Sequence, residues 1–231
     1  LQRRKVNINA KDKLGITPLH RACFNGHEAI VSLLVALEDI QVKVKINATN
    51  KNGNTPLHSA CSYGFEEVVR ALLGHPQIMV NKEDNTGDTP LQIACEEGHE
   101  AIVSLLLDHE DIEVNKQQNE YKSTALMLAC GRGNIEIVKS LLDHKDIDVN
   151  LEDSNRETAL VWACDEGQID VISLLLQRDD LQRTVRNIEA VVDFIMYDPA
   201  DPVDIDMCKV DKGLSLNKLC LKTYLTLQDG F

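Results

Sequence analysis

Thr17-Pro18-Leu19-His20-Arg21-Ala22-Cys23 decides the reading of this chain, because it returns as Thr55-Pro56-Leu57-His58-Ser59-Ala60-Cys61 and then, with drift, three more times. The drifted copies open at Thr89-Pro90-Leu91-Gln92, Thr124-Ala125-Leu126-Met127 and Thr158-Ala159-Leu160-Val161, and each runs on into Ala-Cys. The five threonines are spaced by 38, 34, 35 and 34 residues. Nine residues after them stand Gly26, Gly64, Gly98, Gly133 and Gly167; seventeen after them stand Leu34, Leu72, Leu106, Leu141 (followed by Leu142) and Leu175. A fixed period of this length is the mark of stacked units rather than of one globular core.

Each unit also makes physical sense. Asp12-Lys13-Leu14-Gly15 and Asn50-Lys51-Asn52-Gly53 carry turn chemistry, an Asx residue followed by a Gly that tolerates positive φ. Thr then starts a short helix, and Pro sits in its first turn, where the missing N–H is not needed. The Gly ends that helix, and a second follows, as in Glu28-Ala29-Ile30-Val31-Ser32-Leu33-Leu34, with apolar residues at the spacing of one helical face. Neither helix can bury its face alone, so neighbouring units must stack.

Thr-Pro-Leu-His-x-Ala at this period resembles the ankyrin repeat family, over roughly Val6 to Leu181. The resemblance implies an all-α dominated solenoid of helix-turn-helix units with projecting β-hairpin loops, in repeats of approximately 6–41, 42–80, 81–114, 115–149 and 150–181. It also implies that His20 and His58 hydrogen-bond between adjacent hairpins. Two repeats depart from the pattern, with Ala125 and Ala159 for Pro and with Lys122 and Arg156 where the hairpin Gly belongs. A non-Gly residue at positive φ is uncommon, so those two hairpins are expected to be looser or differently shaped. Gln41–Lys45 lengthens the first connection.

After Leu181 the register breaks. Asn187-Ile188-Glu189-Ala190-Val191-Val192 has the text of a second helix but arrives half a repeat early, Asp198-Pro199-Ala200-Asp201-Pro202 is a rigid insertion, and Leu216–Cys220 echoes a first helix. Residues 182–231 are expected to be degenerate repeat material capping the stack; the alternative is the start of a different domain.

Bulk properties narrow the function. A net charge of −13 repels phosphate backbones and anionic bilayers, which argues against nucleic acid and membrane surfaces as ligands. It serves either solubility or a basic partner. No run approaches the ~18 apolar residues of a membrane span. Five of the seven cysteines share one repeat position and should form a column of small buried thiols. Helices pack ~8–10 Å apart and a disulfide needs Cα atoms within ~4.4–6.8 Å, so successive members cannot bridge. That points to a reducing compartment, and a cytoplasmic location is expected. His27-Glu28 and His99-Glu100 lack the second His of a zinc-protease helix, and Gly131-Arg132-Gly133 follows a helix, not a strand, so it is a turn. With no nucleophile–base pair, metal set or phosphate cradle in the sequence, neither an enzyme nor a cofactor is expected.

The resemblance places partner binding on hairpin tips and on the ends of the first helices that line the concave side. On this chain those are Leu14, Ile16, Asn52, Asn54, Asp88 and Tyr121 at the tips, and Phe24, Tyr63, Glu96, Glu97, Arg132, Asp165 and Glu166 at the helix ends. Only 4% of residues are aromatic, yet Phe24, Tyr63 and Tyr121 fall in this set, and hot spots favour such residues. The expected site is a groove with aromatic anchors and a negative flank, suited to a basic or mixed-charge protein segment and presented by a monomer. Trp162 is assigned to the core. Leu107 before Asn115, and Leu142 before Asn150, resemble the pattern on which asparaginyl hydroxylases act in ankyrin repeats. Three functions remain open: a scaffold or adaptor for protein recognition, the targeting or regulatory arm of a larger enzyme, channel or effector polypeptide (favoured by the absent initiator Met), and a structural spacer.

Overall fold

A computed structural model of the protein describes residues 7–39, 43–182 and 184–196. Among these, eleven α-helices and no strand are present. They run as five pairs: α1 (Pro18–Phe24) with α2 (Glu28–Val35), α3 (Pro56–Ser62) with α4 (Glu66–Leu73), α5 (Pro90–Glu97) with α6 (Glu100–Leu107), α7 (Ala125–Arg132) with α8 (Ile135–Leu142), and α9 (Ala159–Asp165) with α10 (Ile169–Leu176). A single helix, α11 (Val185–Met196), follows. First helices pack on first helices and second on second, which makes a solenoid of two helical layers.

Every first helix starts the same way. Thr17, Thr55, Thr89, Thr124 and Thr158 have extended backbone, and each hydroxyl accepts the N–H three residues on, which satisfies one of the free donors of the first turn. In the first two repeats the bond is reciprocated. Nδ1 of His20 accepts the Thr17 N–H at 3.3 Å, and Nδ1 of His58 accepts that of Thr55 at 3.1 Å. The other ring nitrogen then donates to a carbonyl of the next repeat, from His20 to Asn54 at 2.9 Å and from His58 to Asp88 at 3.1 Å. Gln92 keeps both roles, accepting the Thr89 N–H at 2.8 Å and donating to Ser123 at 2.9 Å. Met127 can only accept, and Val161 can do neither, so the link weakens along the stack.

A second tie runs along the loops. Asn9, Asn47, Asn81, Asn115 and Asn150 each give Nδ2–H to a carbonyl of the next loop in the stack and take an N–H of that loop on Oδ1, at 2.6–3.0 Å throughout. Each asparagine thus acts as an inserted peptide group. Asn115 and Asn150, the two hydroxylation candidates, have both side-chain heteroatoms committed to this ladder.

The projecting segments are tight Asx turns. Asp12 N–H donates to Ile16 O at 3.0 Å, while Asp12 Oδ1 accepts from Leu14 and Ile16. Successive turns join tip to tip, from Lys51 N–H to Leu14 O, Asn85 N–H to Asn52 O and Ser154 N–H to Tyr121 O. The two turns lacking Gly divide. Arg156 takes φ +64° and keeps the regular shape, which corrects the expectation of a distorted fifth turn. The reason is local: Asp153 accepts two N–H groups at 2.8 Å, which offsets the ~1–2 kcal/mol cost of the left-handed region. The fourth turn does differ. Gln118 N–H reaches Ser123 O, one residue wider, with Lys122 at φ +56°.

Cys23, Cys61, Cys95 and Cys130 are free thiols in the core between the layers, and Cys164 is buried in line with them. Burial pushes the Cys23 thiol up to about 12 and raises Cys61, Cys95 and Cys130 further.

The end of the stack corrects one reading. The segment around Asn187 has second-helix text, but α11 packs on α9 and so fills the place of a first helix. Thr184 caps it by accepting the Asn187 N–H at 3.2 Å, and Asn187 stands where His20 does, its Oδ1 accepting the Thr158 hydroxyl at 2.6 Å. Thr184 follows Thr158 by 26 residues rather than 34 because the projecting turn is missing, which is why this segment arrives early. Asp198–Pro202 and Leu216–Cys220 lie outside the described residues.

Candidate functional site

Positions four, seven and eight after each capping threonine share the concave face of the first helices. In the first three repeats they supply Arg21, Phe24 and Asn25; Ser59, Ser62 and Tyr63; and Ile93, Glu96 and Glu97. All of these but Asn25, together with residues of the first three turns, line a groove of about 570 Å³. Leu14, Ile16, Phe24, Asn52, Asn54, Tyr63, Glu96 and Glu97, all expected from the sequence, line this one concavity. Arg21, Ser59, Ser62, Ile93, Asn50 and Asp84 line it too.

The floor is aromatic. Phe24 and Tyr63 are 47% and 49% exposed, although their rings meet edge to face with centroids 4.5 Å apart. Phe65 extends the row, stacked 6.4 Å from Tyr63. Its place is set by backbone. Gly26 is at φ +67°, and a Cβ there would lie 2.6 Å from the Phe65 ring. Glycine is therefore required twice over, by conformation and by space. Elsewhere the residue at the Phe65 position donates back to the preceding first helix, from His99 to Ser62 O and from Gln168 to Gly131 O at 3.2 Å each.

The acidic wall is partly self-neutralised. Arg132 reaches back across the repeat boundary to Glu96 at 2.9 Å, whereas Glu97 has no ion-pair partner among the described residues. Asn54 brings to the wall a buried side-chain carbonyl oxygen with no hydrogen-bond partner.

A family model described as ankyrin repeats (3 copies) matches residues 1–79, 37–118 and 112–185. The chain belongs to the ankyrin repeat family. Ankyrin repeats are protein–protein interaction modules and are typically non-catalytic. Among the described residues of this ankyrin stack, no group of three or more His, Cys, Asp or Glu side chains could hold a metal ion, and no helix is long and apolar enough to cross a membrane.

Other sequence-derived candidates lie apart from the groove. Tyr121 is 60% exposed on the fourth turn. Asp88 is engaged internally, its carboxylate accepting from Thr86 and Gln118. Asp165 and Glu166 lie at the far end, beside α11. Partial burial, with Glu166 and Asp193 nearby, raises the Asp165 carboxyl above its usual range, and Arg186 opposes that shift. Trp162, assigned to the core from sequence, packs against the core but is only partly buried. It shares the concave register of Arg21 and Ile93, lies against Gly131, and donates its indole N–H to Asp153 at 3.2 Å. The signal that could have placed it was the variable fourth position of the motif, where Arg, Ser, Ile, Leu and Trp alternate.

Proposed function

We propose that this ankyrin stack is a scaffold or adaptor that holds a basic or mixed-charge segment of a partner protein in the groove of the first three repeats. The observation that carries this reading is the half-exposed Phe24–Tyr63 pair at the bottom of a concavity walled by Glu97 and Asp84. Aromatic rings exposed in a recess gain from desolvation, and their faces attract a Lys or Arg side chain by ~0.5–2 kcal/mol. The overall charge of −13 speeds the approach of a cationic segment. The stack acts as a monomer, and its five buried thiols suit a reducing compartment such as the cytoplasm.

The test is selection from a displayed peptide library on the parent protein and on a Phe24→Ala, Tyr63→Ala, Glu97→Gln variant matched to it for fold by circular dichroism. Peptides enriched in Lys or Arg on the parent and lost on the variant support the groove. Equal enrichment on both moves the site elsewhere, and absence of enrichment leaves the spacer reading.

A further inference from the structure

One glycine on the concave face is out of keeping with its register. Seven residues after the capping threonine the repeats carry Phe24, Ser62, Glu96, Gly131 and Asp165. Gly131 lies inside α7 with helical backbone, where glycine is unfavourable and conformation does not ask for it. Space does. A Cβ there would come within 3.1 Å of the Trp162 ring and 3.9 Å of Glu166 Cγ, so the place of the missing side chain is bounded by an indole and by an acidic side chain. The indole is oriented beforehand by its N–H bond to Asp153, so little freedom is lost when a ligand packs on it. The acid beside it is uncompensated. Neither Asp165 nor Glu166 is in an ion pair among the described residues, and two neighbouring cations are engaged elsewhere, Arg132 with Glu96 at 2.9 Å and Arg186 with Glu157 at 2.8 Å.

We infer that the Gly131 notch beside Trp162 is a second anchor point for the partner segment, taking a different Lys or Arg side chain from the one held at Phe24 and Tyr63. This rests on the groove reading above. Tryptophan is the ring that attracts a cation most strongly, and here it stands beside carboxylates. The floor is continuous with the groove: Ile93, which lines the groove, and Leu128 stand at the fourth position of α5 and α7 and lead to Trp162 at that position of α9, all three half-buried. The helices α3, α5, α7 and α9 pack in succession. Three steps of ~8–10 Å put Trp162 about 24–30 Å from Tyr63, a span that an extended chain covers in about eight residues at ~3.3 Å each. The partner is thereby defined by its chemistry: two cationic residues about eight apart in an extended segment, with small or apolar residues between them.

The chain has one tryptophan, so its emission reports the notch without a label. Two synthetic peptides of Ser and Val, equal in charge, carry two Arg residues about eight apart or roughly half that distance apart, the second too short to reach both anchors. Each is titrated calorimetrically while Trp162 emission is followed. The wider peptide should bind at least about tenfold more tightly and shift the emission as it binds. That preference should vanish in an Asp165→Asn, Glu166→Gln variant and in Gly131→Leu, a position that other repeats fill with Phe24 or Glu96, while both variants bind the closer peptide as the parent does. Equal affinities for the two peptides, unchanged emission at saturation, or a spacing preference that survives in the variants overturns the second anchor. Failure of the groove itself looks different: the closer peptide would then bind a Phe24→Ala, Tyr63→Ala variant as well as it binds the parent.

Discussion

Asn81→Ala removes one rung of the loop ladder from the middle of the stack. The side chain donates to Asp111 O at 2.6 Å and accepts the Glu113 N–H at 2.9 Å, so both bonds tie the loop before α5 to the loop after α6. A net ~0.5–1.5 kcal/mol each gives about 1–3 kcal/mol, with the lower half favoured because the loop is half-exposed and water can replace part of what is lost. In a urea melt followed by circular dichroism this is a fall in midpoint of roughly 0.5–1 M for a slope of about 2 kcal/mol/M. Because stability in such a stack is a sum of unit and nearest-neighbour terms, weakening the tie between two central loops should also broaden the transition, as the two halves begin to melt separately. Asn81→Asp should be worse than Asn81→Ala at neutral pH: it keeps the acceptor but turns a carboxylate oxygen toward the Asp111 carbonyl. A loss below about 0.5 kcal/mol for Asn81→Ala, with an unchanged transition width, would refute the view that the asparagines couple the repeats.

A nonapeptide written twice, at 26–34 and at 98–106, offers an internal comparison. Ile102→Ala should cost about 2–4 kcal/mol as a core truncation and Ile30→Ala well under half of that, measured by the same melts. His20 and His58 are held below the usual histidine range chiefly by burial. Each must also be neutral to accept a Thr N–H on Nδ1. Their contribution is complete above the unfolded pKa of ~6.5 and is lost as pH falls through the lower folded value. Stability should therefore drop between pH 7.5 and 5.5, and a His20→Gln, His58→Gln variant, which copies Gln92, should flatten the drop; an undiminished pH dependence would assign it to other groups. The column thiols should resist an aromatic disulfide reagent in the native state and react at once in denaturant; rapid native labelling of Cys61 would contradict its burial.

Much of the architecture was legible because its determinants are local. The Thr cap, the Pro in the first turn and the Gly after the helix act within a few residues of themselves, so period and pattern were enough to place the helix pairs. The groove residues were legible for a related reason: a position that recurs on one face of one helix recurs on one face of the stack. The misreadings involve residues whose meaning depends on partners that the repeat motif does not write. Trp162 was given to the core by its position and does pack against it, but only partly buried, with one side on the neighbouring Gly131 and its indole N–H on Asp153. Arg156 suggested a distorted turn until the two bonds from Asp153 were seen to hold it. The segment around Asn187 carries second-helix text, yet a missing projecting turn drops it onto α9.

What the amino-acid order determined by itself was the unit, its count over the regular stretch and the sidedness of its helices, because each rests on hydrogen bonds and apolar spacing within some 35 residues. What only the tertiary structure decided was which copy of a unit is covered. Gly-His-Glu-Ala-Ile-Val-Ser-Leu-Leu is written identically at 26–34 and 98–106, but Ile102 is buried and Ile30 is not. Burial belongs to the pair of surfaces that meet, and a sequence segment describes only one of them.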